Sequence, residues 1–260
     1  MMSHLKELYK FRELLFSLTK REIKVRYKQT TLGAAWAILQ PLSLMLIFSL
    51  VFGFFLKLES QGFPYPIFYY SALLTWIFFS TSVSFGSLSV INNSNLVTKV
   101  YFPRETLPLA SIGAAILDLL TASLIFFLMM LFYSTPLTLN LLYVLPIFLI
   151  LIIFTTSVAL LNSVLVVIWR DLKFVVPLVI NIWMFASPII YPVSKVPENL
   201  RVYYMLNPMA TVIDSFRTVT LSGQPPFFQD LIIATIVSVI LLFLAYAFFK
   251  KREREFADII

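Results

Sequence analysis

Leu141–Trp169 reads LLYVLPIFLILIIFTTSVALLNSVLVVIW and contains no charged residue. A hydrocarbon core of roughly 30 Å is crossed by about 20 apolar residues in a helix, so this run is long enough to span a bilayer. A helix satisfies its own backbone groups in lipid, whereas strands would need a closed barrel. Five further runs repeat the pattern on either side: Leu32–Leu56, Ile67–Ile91, Leu107–Tyr133, Phe174–Val193 and Leu231–Phe249. The expected fold is an all-α membrane protein with six transmembrane helices. Pro41, Pro146, Pro177 and Pro188 fall inside these runs and predict kinks, because membrane helices tolerate proline where neighbours satisfy the freed groups. Only Ser134–Asn140 separates the third run from the fourth, which predicts an antiparallel hairpin.

Composition agrees. The 260 residues are 60% hydrophobic and only 13% charged, against about 25% charged in soluble domains. Orientation follows from Lys and Arg, which concentrate in cytoplasmic loops. With the N-terminus inside, sixteen of the twenty Lys and Arg lie on the cytoplasmic side, and only Lys57, Lys195, Arg201 and Arg217 lie outside. An even number of spans returns the C-terminus to the cytoplasm. No basic segment with a following apolar stretch and small-residue cleavage site opens the chain, which predicts insertion by the spans themselves. The net charge of +7 is the bias expected of cytoplasmic loops facing anionic lipid, not a nucleic-acid footprint.

Several chemistries are excluded. There is no Cys, and the single His, His4, lies in the N-terminal tail, so thiolate catalysis, a Ser–His–Asp triad and a His-cluster metal site are ruled out. No catalytic or metal-binding set is expected. None of the six glycines opens a G-x-x-x-x-G-K-[ST] loop, so ATP phosphates are not cradled by that device. A membrane-embedded glycosyltransferase would need a carboxylate base at the interface, and Glu22, Glu105 and Asp171 each sit beside basic residues. A gradient-driven transporter would need titratable groups in series or inverted repeats, and neither is visible. Asp118 is the one acidic residue deep in a span. With no Lys, Arg or His in any span, it is expected to be a protonated or hydrogen-bonded carboxyl packed between helices, so Asp118→Asn should leave transport largely intact.

Two segments are not spans. Residues 1–31 form a cytoplasmic unit ahead of the 32–260 transmembrane unit, the two making one domain. Within it Phe11–Lys28, FRELLFSLTKREIKVRYK, sets Phe11, Leu14, Leu15, Leu18 and Val25 along one stripe with basic residues elsewhere. A basic amphipathic helix of this kind lies in the membrane interface, either as an anchor or as a grip for an anionic lipid. Ser194–Phe228 carries Pro197, Asn207-Pro208 and Pro225-Pro226. This punctuation predicts short helices between spans 5 and 6, forming an outer gate. In the second span Tyr65, Tyr69, Tyr70 and Trp76 accompany hydroxyls that include Ser80 and Ser84. Rings and hydroxyls together suit a sugar-compatible channel, although small hydroxyl residues also serve helix contact.

The motifs TKREIKVRYKQTTLGAAWAILQPL (Thr19–Leu42), YFPRETLP (Tyr101–Pro108), WRDLKFVVP (Trp169–Pro177), SPIIYPVSKVP (Ser187–Pro197) and NPMATVIDSFR (Asn207–Arg217) resemble, in order, signatures of the ABC-2-type permeases that export bacterial surface polysaccharides. The similarity covers essentially the whole chain and is strongest to the transmembrane subunits of O-antigen (lipopolysaccharide) exporters. The resemblance implies a homodimer in the bacterial inner membrane, joined to two copies of an ATP-binding subunit that carries the ATP and Mg. This chain would hold no cofactor and would not itself be an enzyme. The cargo would be polysaccharide on undecaprenyl diphosphate; teichoic acid, capsular polysaccharide or a drug is the alternative for the same architecture. Lys24, Arg26 and Lys28 would receive the diphosphate beside Leu32-Gly33. Asn95, Lys99, Tyr101, Phe102, Arg104 and Glu105 would couple to the ATPase. Tyr191, Asn207, Pro208, Asp214 and Arg217 would belong to the periplasmic gate.

Overall fold

The computed structural model describes residues 8–27 and 35–260. Lys28, Leu32 and Gly33, assigned above to lipid reception, lie outside the described residues. Among the described residues all regular structure is helical. Five stretches are long and apolar enough to cross a membrane: Trp36–Phe55, Tyr65–Asn92, Thr106–Phe132, Leu139–Ile168 and Phe228–Ile259. We number the helices α1 (Arg12–Tyr27), α2 (Trp36–Phe48, continued as a π-helix over Ser49–Phe55), α3 (Tyr65–Asn92), α4 (Ser94–Lys99), α5 (Thr106–Phe132), α6 (Val144–Ile168), α7 (Leu172–Phe185), α8 (Glu198–Met205), α9 (Pro208–Thr220), α10 (Phe228–Arg252) and α11 (Phe256–Ile259).

Helix α3 is the hub. It packs on α5 and α6, which make far less contact with each other, so the expected hairpin of the third and fourth runs is split by the second. Small residues let the crossing close. A Cβ built on Gly86 would lie 3.0 Å from the Ala159 Cβ, and close approach of this kind holds membrane helices together where lipid removes the hydrophobic drive. Ala159 is short and fixed to its backbone, so it has no means of yielding. Gly86→Leu is therefore expected to cost about 1–3 kcal/mol by overpacking, seen as a lower Tm of the solubilised protein. The outer face of α5 stays apolar: Leu117, Leu120, Leu124, Phe127, Leu128 and Leu131 are exposed, as a bilayer requires.

The expected fifth run, Phe174–Val193, is helical over only part of its length. α7 has 14 residues, and at about 1.5 Å rise per residue it covers only about 21 Å. It stops at Phe185, and residues 186–192 turn without forming a helix. Pro188 and Pro192 are the physical cause, since each disfavours the α conformation of the residue before it and lacks an N–H. Pro41 and Pro177 do lie within helices, as kinks require; Pro188 marks a break.

Helix α1 lies along α5. Leu18 is buried, and Phe11, Leu14 and Leu15 pack against a second core made by Val97, Phe102, Leu107, Val164, Phe249 and Phe256. Val25 departs from the expected stripe and is exposed. Gly113 allows the approach, because a Cβ there would sit 3.1 Å from Thr19 side-chain atoms.

Candidate functional site

Three polar constellations interrupt this apolar bundle. The first forms where the end of α1 meets the middle of α5. Arg26 donates from Nη1 to Asp118 Oδ2 at 3.0 Å and from Nη2 to the Ser111 carbonyl at 3.2 Å. Tyr27 donates its hydroxyl to Asp118 Oδ1. The guanidinium carbon lies 4.3 Å from the centre of the Phe85 ring. The side chains of Arg26 and Asp118 are only 10% and 18% exposed, so the pair is substantially desolvated. The expectation that Asp118 lacks a cationic partner is thus corrected. Its partner comes from the interfacial helix, 92 residues away in sequence. A cavity of about 560 Å³ opens beside the pair, lined among others by Trp36, Gln40, Thr81 and Phe85. Lys24 is exposed, whereas Arg26 is already engaged. One turn back, Arg21 donates to Asn93 Oδ1 at 2.5 Å, tying α1 to the corner between α3 and α4.

The second constellation is the α4–α5 loop. Asn95, Lys99 and Tyr101 are exposed, Tyr101 at 83%. The other residues assigned to coupling turn inward. Phe102 is buried in the second core. Glu105 is fully buried, held by Lys250 Nζ at 2.7 Å and by the Tyr246 hydroxyl at 3.2 Å. Arg104 donates to the Glu253 carbonyl. The loop therefore presents one set of side chains outward and anchors itself with another.

The third constellation closes the break after α7. Arg217 on α9 is 3% exposed and donates to the carbonyls of Pro188, Ile189 (2.7 Å), Tyr191 (3.4 Å) and Phe68 (3.3 Å), and to Ser71 Oγ at 3.3 Å. Its guanidinium carbon lies 3.7 Å from the Phe68 ring centre. Tyr65 donates its hydroxyl to the fourth carbonyl of the turn, Ile190, at 2.9 Å. A broken helix leaves carbonyls without partners, and here one guanidinium fork and one phenol satisfy them. Burial pulls the Arg217 pKa down to about 9, which leaves it charged at neutral pH, and burial pushes the nearby Asp214 carboxyl up. Asn207 caps α9 by accepting from the Met209 N–H at 3.1 Å, with Pro208 at the first helical position, where its missing N–H is harmless. The Tyr191 hydroxyl bonds the Phe185 carbonyl and the Tyr204 hydroxyl. The five residues assigned to the gate are thus brought together, with Arg217 inside the protein and not on an outer loop.

The expected channel face is corrected. Tyr65, Tyr69, Tyr70 and Trp76 are all buried in the main core. Tyr69 stacks on Phe48, and Tyr70 on Phe126. The hydroxyls of Ser71, Thr75, Ser80, Ser87 and Ser89 donate to carbonyls of their own helix three or four residues back, and Ser84 is half-buried. Rings and hydroxyls on one helix serve core packing here, so in this conformation they offer no surface for a passing glycan.

Residues 13–221 match the ABC-2 type transporter family. The chain belongs to that family. Over 98% of both chains it is 32% identical to "O-antigen export system permease protein RfbA" of Myxococcus xanthus. A protein of the same name from Klebsiella pneumoniae is 28% identical over 95% of each chain. "Polysialic acid transport protein KpsM" of Escherichia coli is 25% identical, covering 91% of this chain and 92% of its own. Sequence reasoning missed Lys250, Glu253 and Phe256 because their partners lie far away in the chain. The available signal was Glu105, an acidic residue at the start of a long apolar run.

Proposed function

We propose that this chain is the transmembrane subunit of an ATP-driven exporter that moves polysaccharide on undecaprenyl diphosphate across the bacterial inner membrane. The observation that carries the reading is its full-length similarity to O-antigen export permeases. The interfacial cavity beside Arg26 supports it. In this reading the five long helices and the α7 half-helix with its Arg217-stabilised turn make six crossings, with both ends in the cytoplasm. Two copies form the pathway, and two copies of an ABC ATP-binding subunit, carrying ATP and Mg, dock on Asn95, Lys99 and Tyr101. Lys24 and Lys28 receive the diphosphate, and Arg26 holds the helix that carries Lys24. The glycan slides between the two copies, with Tyr191 and the α8–α9 segment as the outer gate. Bilayer lipid surrounds the bundle, and no nucleic acid takes part.

Depletion of the protein in its host is expected to remove surface polysaccharide and to build up lipid-linked glycan inside. Unchanged surface glycan would overturn the assignment of cargo. The similarity to a polysialic acid transport protein supports a second reading, in which the cargo is capsular. Loss of capsule with intact lipopolysaccharide in the same depletion would select it. Arg104→Glu is expected to reduce export per ATP hydrolysed by about tenfold, measured in proteoliposomes containing both subunits. It reverses the charge that ties the loop to the Glu253 carbonyl. An unchanged ratio would contradict the placement of this loop in the coupling path.

A further inference from the structure

Residues 253–260 pack against the bundle. After α10 the chain continues through a 3₁₀ turn at Glu253–Glu255 into α11, which comes to rest beside α4. Phe256 is fully buried, edge-on to Phe249 at 5.4 Å, in the same core as Val97 of α4 and Phe102. Three polar ties reinforce this packing. Lys250 Nζ bridges the buried Glu105 at 2.7 Å and Glu253 at 3.1 Å. Arg104 donates to the Glu253 carbonyl. Arg170, at the corner between α6 and α7, donates to the Ile259 carbonyl at 3.3 Å. The segment thereby touches the α4–α5 loop, the α6–α7 corner and the end of α10 at once.

We propose that residues 253–260 are a brace that makes the α4–α5 loop and α10 move as one body, so that force applied at the loop reaches the far side of the bundle. This rests on the exporter reading, in which a partner pushes on the loop. α4 has six residues, too few to be rigid alone, because helices shorter than about 12 residues are marginal without tertiary contacts. Without the brace, a push on Lys99 and Tyr101 would shift α4 locally. Glu105–Lys250 joins the loop to α10 at one point; the brace adds Glu253, bonded to both Lys250 and Arg104, and Phe256 in the shared core, so that the displacement is passed on whole. Phe256 and Lys250 are positioning residues, acting through the loop and not on cargo.

The test uses the full chain with its ATP-binding partner in proteoliposomes supplied with lipid-linked polysaccharide, recording export and ATP hydrolysis together. Phe256→Ala is expected to assemble and hydrolyse ATP at a near-normal rate while exporting about tenfold less glycan per ATP. Phe256→Leu, which still fills the core, should keep the normal ratio. An unchanged ratio in Phe256→Ala, or export and hydrolysis falling in step, overturns the brace. A second measurement does not depend on the folding of that variant. Ser94 and Ile260 line one cavity, and the chain has no native Cys. Cross-linking Ser94→Cys to Ile260→Cys with a short bis-maleimide should leave the export-to-hydrolysis ratio unchanged, because the brace stays docked through the cycle. Loss of export on cross-linking, with hydrolysis intact, would show that the segment must detach and would overturn the proposal. If the unmodified pair exports no glycan with ATP, the exporter reading fails and the brace with it. If it exports normally and only the variant results disagree, the brace alone fails.

Discussion

Arg217→Ala is expected to prevent stable folding of this protein. The guanidinium donates to four backbone carbonyls, three of them in the turn that follows α7. Each buried acceptor left without a donor costs about 1–3 kcal/mol; the Phe68 carbonyl keeps the Ser71 hydroxyl, so the losses fall on the three carbonyls of one turn that has no helical hydrogen bonds of its own. The sum is at least about 3 kcal/mol, a large fraction of the roughly 5–15 kcal/mol by which domains typically hold together. Arg217→Lys should recover less than half of the loss, because a single ammonium on a flexible stem does not reproduce a planar fork. The measurement is the yield and Tm of solubilised protein, with size-exclusion behaviour as a check. A variant Arg217→Ala that accumulates and melts like the unmodified chain would show that water or lipid reaches those carbonyls.

Asp118→Asn has the next largest effect. It removes the charge facing Arg26 while preserving shape, and it leaves a guanidinium with 10% side-chain exposure beside an uncharged amide. Breaking one side of a buried pair costs about 3 kcal/mol or more. That loss is felt at the α1–α5 contact and not throughout the fold. The expected result is an α1 that detaches more readily, seen as faster proteolysis near Tyr27, and a fall in export. The double variant Arg26→Gln with Asp118→Asn should be more stable than Asp118→Asn alone, because no charge is then left unpaired. A cycle with no coupling between the two positions would show that the pair contributes nothing to docking.

The parts of this structure legible in the sequence were those that depend on composition along a continuous run. Leu141–Trp169 could be read as a spanning helix because every residue in it is uncharged. The end of α7 was not legible in that way. Pro188 inside an apolar stretch has the same appearance whether it kinks a helix or ends it, and the choice depends on Arg217, which lies 29 residues further on. The burial of Arg217 is hidden for the same reason, since a lone Arg among short helices gives no sign that four carbonyls await it. Asp118 was recognised as unusual, but its partner sits on a different element, outside any span. The ring and hydroxyl pattern of α3 was read as a sugar track because the sequence does not say which way a side chain turns. The structure turns the hydroxyls of Ser71, Thr75, Ser80, Ser87 and Ser89 onto their own backbone, a local bond always open to Ser and Thr in helices. Within the α4–α5 loop, the family resemblance marked the segment but did not separate exposed Lys99 and Tyr101 from buried Phe102 and Glu105.

The most direct test of the account is to reconstitute the permease with its ATP-binding partner in sealed proteoliposomes and to follow undecaprenyl-diphosphate-linked polysaccharide across the membrane. The account predicts movement that requires ATP and the partner, and that falls when Lys24 and Lys28 are both changed to Gln with assembly unaffected. Movement without ATP, or none in a complex that assembles and hydrolyses ATP normally, would contradict it.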